Sequence, residues 1–241
     1  MRAGRQKEIQ FSAPEGRPTR GGKRTRAGRK PNGKRAGVSH LRRPELSHRH
    51  PVLVTLRVVP EIGRLRRRDA YRAVRQALAT SLSRQRGHLR ICHISIEGNH
   101  LHLLVEADDR RALSRGMQGF AISCAKHLNQ TLSPSGAEPR KGRVFADRYH
   151  AAILDGPRRV RHALSYVLNN WRRHREDVGR RERLDPFSSA AAFGGWSDGP
   201  LLVRIGPRDE LLPVWYPQTW LLSDGWRRGG EVSPWARPGP D

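Results

Sequence analysis

Two histidines stand two residues apart in "GNHLHLLVEA", residues 98–107. In an extended strand such side chains point to the same face. His100 and His102 therefore share a face with Leu104 and Glu106, while Leu101, Leu103 and Val105 fill the other. Two imidazoles side by side on a rigid strand make two ligands of a metal site. The same pair also reads as two ordinary histidines on a solvated sheet. A metal site needs a third ligand and a reacting group.

Residues 156–177, "GPRRVRHALSYVLNNWRRHRED", offer both on an amphipathic helix. At about 100° per residue, Val160, Leu164, Val167, Leu168 and Trp171 form one apolar stripe. Tyr166 and Asn170 lie off that stripe on one flank and are four apart, so they are neighbours on the helix surface. Asn170 carries an amide oxygen suited to a metal. Arg159, Tyr166 and Arg173 are spaced by seven, and arginines on either side of a hydroxyl suit a phosphate backbone lying along the helix. An exposed tyrosine and a surface asparagine on an arginine-rich helix would share this spacing.

The elements that must position these residues follow from periodicity. "HPVLVTLRVVP" (50–60) is β-branched and ends at proline, a strand. Residues 67–82 repeat Tyr71, Val74, Leu78 and Leu82 at helical spacing. "RICHISIEG" (90–98) alternates, with Ile91, His93 and Ser95 opposite Cys92, Ile94 and Ile96. Glu97-Gly98-Asn99 is a turn, so residues 90–107 form an antiparallel hairpin. Residues 108–132 open with an aspartate cap and keep Leu113, Met117, Phe120, Ala121, Cys124 and Leu128 in helical register. "VFADRYHAAIL" (144–154) is extended. The order β-α-β-β-α-β-α predicts an α+β, ferredoxin-like split βαβ fold: an antiparallel sheet with helices on one side, plus a C-terminal helix.

The chain has 241 residues and a formal net charge of +25. Such a chain calls for a polyanion, and nucleic acid is the default. No run of 18 apolar residues suggests a membrane span. Cys92 and Cys124 have no zinc spacing and read as buried free thiols of a cytoplasmic protein. Residues 1–48 are rich in Arg, Lys, Gly and Pro, and residues 1–50 hold 15 Lys/Arg against three Glu. That composition predicts a disordered basic tail adding salt-dependent attraction to phosphate. A core domain at 49–178 and an extension at 179–241 follow. In the extension an Asp-Pro helix start at 185–186 precedes scattered tryptophans, Trp196, Trp215, Trp220, Trp226 and Trp235. These read as anchors of an irregular segment, with stacking on unpaired bases as the alternative.

As a set, "NHLHLLV", "GRVFADRYHAAIL" and "LSYVLNN" resemble the HUH single-tyrosine transposases, most closely the REP-associated tyrosine transposases and their bacterial relatives. The resemblance covers roughly residues 48–178. It implies cleavage of single-stranded or hairpin DNA through a 5′-phosphotyrosine, with Tyr166 as nucleophile. It also implies a divalent metal, Mg²⁺ or Mn²⁺, at His100, His102 and Asn170. It admits a homodimer. Arg143, Arg148, Arg159 and Arg173 are the expected DNA contacts. Tyr149 is the rival nucleophile, on a strand without a supporting amide. Asp147 and Glu106 are expected on a solvated surface, as are His93 and His150. The alternative function is a non-catalytic or domesticated nucleic-acid binder. An RNA-binding sheet would display aromatic residues where this strand carries histidines.

Overall fold

The structure, a computed structural model, describes residues 44–84, 87–133, 136–199 and 210–239. Most of the expected basic tail, residues 1–43, lies outside the described residues.

Four strands form one antiparallel sheet: β1 (Val52–Arg57), β2 (Leu89–Ile96), β3 (His100–Ala107) and β4 (His150–Ile153). Their order is β2-β3-β1-β4. With α1 (Arg68–Arg84) between β1 and β2 and α2 (Arg110–Thr131) between β3 and β4, this is the ferredoxin-like split βαβ fold. The expected segment 144–154 contracts to a four-residue strand preceded by a single bridge between Val58 and Phe145.

Helices α1 and α2 cover one face. Ala73, Val74, Ala77 and Leu78 meet Met117, Phe120 and Cys124 over Val54, Leu56, Leu101, Leu103 and Val105. Asp109 caps α2, accepting from the Ala112 N–H at 2.7 Å, which satisfies one of the donors left open at a helix start. The third helix, α3 (Pro157–Arg173), starts with proline at its first turn and lies on the opposite face. Its stripe Val160, Leu164, Val167, Leu168 packs with Leu104 and Cys92 of the sheet. The histidine-bearing face is therefore covered by α3, and helices occupy both sides.

One expectation about β2 needs correction. Ile91 pairs with Val105 and His93 with Leu104, so Cys92 is an inserted bulge residue. The alternation breaks there. Ile91 joins Ile94 and Ile96 beneath α1 and α2, while Cys92 turns to the α3 side.

The C-terminal extension closes the outer edge of β2. Ile96 N–H donates to Phe187 O at 2.8 Å, Ser189 N–H to Ile94 O at 2.8 Å, and Trp215 N–H to Ile91 O at 2.9 Å. Open backbone groups on an edge strand invite misassembly, and this segment satisfies them. The Asp-Pro signal yields only a single 3-10 turn, Ala190–Ala192. Asp185 instead receives both terminal nitrogens of Arg66, at 2.6 and 3.0 Å, in a buried ion pair. A short helix, α4 (Trp220–Ser223), follows. Trp196 and Trp226 are buried anchors, whereas Trp220 and Trp235 are half exposed. Both cysteines are free and buried, and burial pushes the Cys124 thiol up to about 12. Among the described residues no helix is long and apolar enough to cross a membrane.

Candidate active site

Strand β3 presents both histidines to α3. Their Nε2 atoms lie 2.8 Å apart, with ring centroids 4.4 Å apart. Both are held neutral by burial, His100 down to about 4 and His102 to about 3. For His100, the charges of His174 and Arg57 add to the effect of burial; for His102, those of His100 and His174 do. Neutral imidazole is the form that binds a metal.

Neighbouring groups orient the rings. His100 Nδ1 lies 2.7 Å from Asn99 Oδ1, an oxygen that can only accept. His100 therefore carries its proton on Nδ1 and turns the Nε2 lone pair toward His102. His102 Nδ1 lies 3.0 Å from Thr55 Oγ1. That hydroxyl both donates and accepts, so either tautomer of His102 is accommodated. One tautomer donates from Nε2 to His100; the other leaves two lone pairs converging on one point.

Above the pair runs the flank of α3. Tyr166 places its hydroxyl 3.3 Å from His102 Nε2, with the rings edge to face. Two turns further along, the His174 ring lies 6.5 Å from that of His100. Asn170 sits midway between Tyr166 and His174 at helical spacing, so its side chain lies on the flank that covers the pair. It is fully buried, and neither its Oδ1 nor its Nδ2 has a hydrogen-bond partner. A buried amide without partners costs about 1–3 kcal/mol. An ion between the Nε2 atoms and the amide oxygen would supply the missing partner. The donor set of two neutral imidazoles and one amide therefore fits a divalent cation. Among the described residues no group of three or more His, Cys, Asp or Glu side chains is arranged for a metal.

The structure separates the two tyrosines. Across the sheet, Ser95, His102, Thr55 and His150 occupy one row and share a face. Tyr149, one residue before His150, points the opposite way and joins the α1–α2 core. It does not face the histidine pair. His150 is exposed at the end of the row.

The expected arginines are spread along the surface. Arg143 Nε donates to Phe145 O at 2.6 Å, Arg159 pairs with Asp155 at 3.0 Å, and Arg173 donates to Gly239 O at 2.7 Å. Arg148 is exposed beside Asp147. Two other expectations fail. Glu106 is not solvated: it is fully buried and accepts from Arg90, Gln218 N–H and the Thr219 N–H and hydroxyl. His93 is also buried, edge-on to Phe193. Both are covered by the extension, whose packing no periodicity reveals.

Three residues of the site went unread in the sequence. Thr55 and Arg57 come from β1, and His174 continues the Tyr166–Asn170 spacing by one turn. That four-residue step was the available signal for His174. Thr55 and Arg57 carry no signal until strand register is known.

The sheet and α3 thus bring a tyrosine hydroxyl to a strand-borne histidine pair. Residues 65–170 match the family model described as "Transposase IS200 like". A solved structure of a REP-associated tyrosine transposase bound to a REP hairpin is similar at 18% identity and a TM-score of 0.38, covering 56% of this chain and 74% of that chain. No curated protein matches the chain.

Proposed function

We propose that this protein cleaves and transfers strands of single-stranded or hairpin DNA through a covalent bond to Tyr166. The observation that carries the reading is the placement of the Tyr166 hydroxyl 3.3 Å from His102, over a histidine pair whose nitrogens converge.

The chemistry follows from the groups present. A phenol, with an ordinary pKa near 10, is a weak nucleophile at neutral pH, and a phosphodiester repels attack. His100, His102 and the Asn170 amide would hold Mg²⁺ or Mn²⁺, which when bound neutralises phosphate charge and polarises the P–O bond. Helix α3, packed by its apolar stripe, holds the Tyr166 oxygen in place and restricts its approach to phosphorus. The Tyr166 oxygen forms a bond to phosphorus, its proton passes to water, the bond to the 3′ oxygen breaks, and that oxygen takes up a proton. The products are a 5′-phosphotyrosine and a 3′-hydroxyl; attack by a 3′-hydroxyl reverses the step or joins a new end. The surface arginines Arg143, Arg148, Arg159 and Arg173 would hold the flanking backbone as phosphate contacts.

The test is adduct formation. Labelled hairpin DNA from the flanks of the protein's own gene is incubated with the full chain and Mn²⁺ or Mg²⁺, then run on a denaturing gel. Label should stay with the protein and vanish with Tyr166→Phe and with His100→Ala. Adduct surviving Tyr166→Phe sinks the assignment of the nucleophile. Tight binding of the same DNA without any adduct favours a non-catalytic binder.

A further inference from the structure

Arg57 is the last residue of β1 and pairs directly with His100 in the sheet register. Directly paired residues point to the same face, with Cβ atoms about 4.5–5.5 Å apart. The backbone there is fixed on both sides: Arg57 O accepts from Ala146 N–H at 2.8 Å, and Val58 N–H donates to Asn99 O at 3.0 Å. The side chain is exposed, and it has no hydrogen-bond or ion-pair partner among the described residues. Arg143, Arg159 and Arg173, by contrast, already bind groups of this chain.

The surroundings sharpen the contrast. Arg57 and His174 bring positive charge toward His100, and His174 toward His102. A guanidinium beside a neutral, cation-competent donor set would be repelled by the cation it flanks. The arrangement is favourable once an anion lies between them, and guanidinium binds two oxygens of a phosphate at once.

We infer that Arg57 is a catalytic residue that grips the non-bridging oxygens of the phosphate at the His100–His102 pair and offsets the charge that builds on them during attack. This rests on the reading that Tyr166 attacks a phosphodiester. Arg57 forms no covalent bond and loses no proton.

The experiment compares wild type, Arg57→Ala and Arg57→Lys in two assays on one oligonucleotide. The first is the rate of adduct formation with Mn²⁺, with and without added guanidinium chloride. Arg57→Ala should slow it about 10²–10³-fold, as for loss of one preorganised donor. Lysine should restore part of that loss, and free guanidinium should partly rescue only the alanine variant. The second is binding without turnover, followed by fluorescence anisotropy across salt concentrations. The salt slope of Arg57→Ala should fall by about 0.7, one phosphate contact on a single strand. A circular-dichroism melt confirms that each variant is folded. An unchanged adduct rate in Arg57→Ala overturns the inference, as does an unchanged salt slope. If wild type forms no adduct, the phosphotyrosine reading fails, and the salt slope alone decides whether Arg57 binds phosphate.

Discussion

Thr55 and His102 face each other across β1 and β3, with Oγ1 3.0 Å from Nδ1. By accepting from Nδ1–H the hydroxyl can hold His102 in the tautomer whose Nε2 lone pair points toward His100 and Tyr166, the one that binds a metal. Groups in this supporting position typically contribute 10–100-fold to metal affinity. Thr55→Val keeps the shape and removes the hydroxyl. Mn²⁺ affinity measured by calorimetry should fall by about that factor, with little change in the melting temperature of the metal-free protein. Unaltered affinity would show that His102 needs no such support.

Asn170 carries a buried amide with no partner. Replacing it by leucine, of similar volume, removes the unsatisfied groups. In EDTA the Asn170→Leu protein should be as stable as wild type or more stable by about 1–3 kcal/mol in urea unfolding. Mn²⁺ should then no longer raise its melting temperature as it does for wild type. A large loss of stability in EDTA would mean that the amide serves the fold.

His93 is buried and neutral, its pKa lowered by desolvation to about 4 from an ordinary 6.5. The unfolded chain takes up a proton at this residue near pH 6.5, and the folded one resists until about pH 4. Stability is therefore complete above pH 6.5 and falls as pH drops through 4, by about 3 kcal/mol from this group. His100 and His102 slope the same way. Urea unfolding between pH 7 and 4 should show a shallower decline for His93→Leu than for wild type. Parallel curves would exclude His93 as a contributor.

Glu106 ties the extension to β3: its buried carboxylate accepts from Gln218, Thr219 and Arg90. Breaking a buried ion pair at one partner costs about 3–5 kcal/mol. Glu106→Ala should lose roughly that in urea unfolding, and limited proteolysis should cut first within 210–239. Protease resistance equal to wild type would show that the tryptophan anchors suffice.

The sequence carried most of the frame. Helical stripes, an alternating hairpin and turn residues are local signals, since each element must present an apolar face to one core. From them came the split βαβ order, the shared face of His100 and His102, and the shared flank of Tyr166 and Asn170. The basic composition pointed to a polyanion because charge needs no fold to be counted.

What the tertiary structure decided depends on register and on which face each element covers. Only the sheet register sets Arg57 opposite His100 and Thr55 opposite His102, because residues about 45 positions apart meet by strand pairing alone. Only the seating of α3 on the second face brings Tyr166 to His102 and buries Asn170, and the strand alternation at His150 turns Tyr149 away. The Cys92 bulge and the buried Glu106 and His93 escaped the sequence for a related reason. A bulge breaks a periodicity without announcing itself, and burial by an irregular segment follows from where that segment lies, which its own residues do not encode locally.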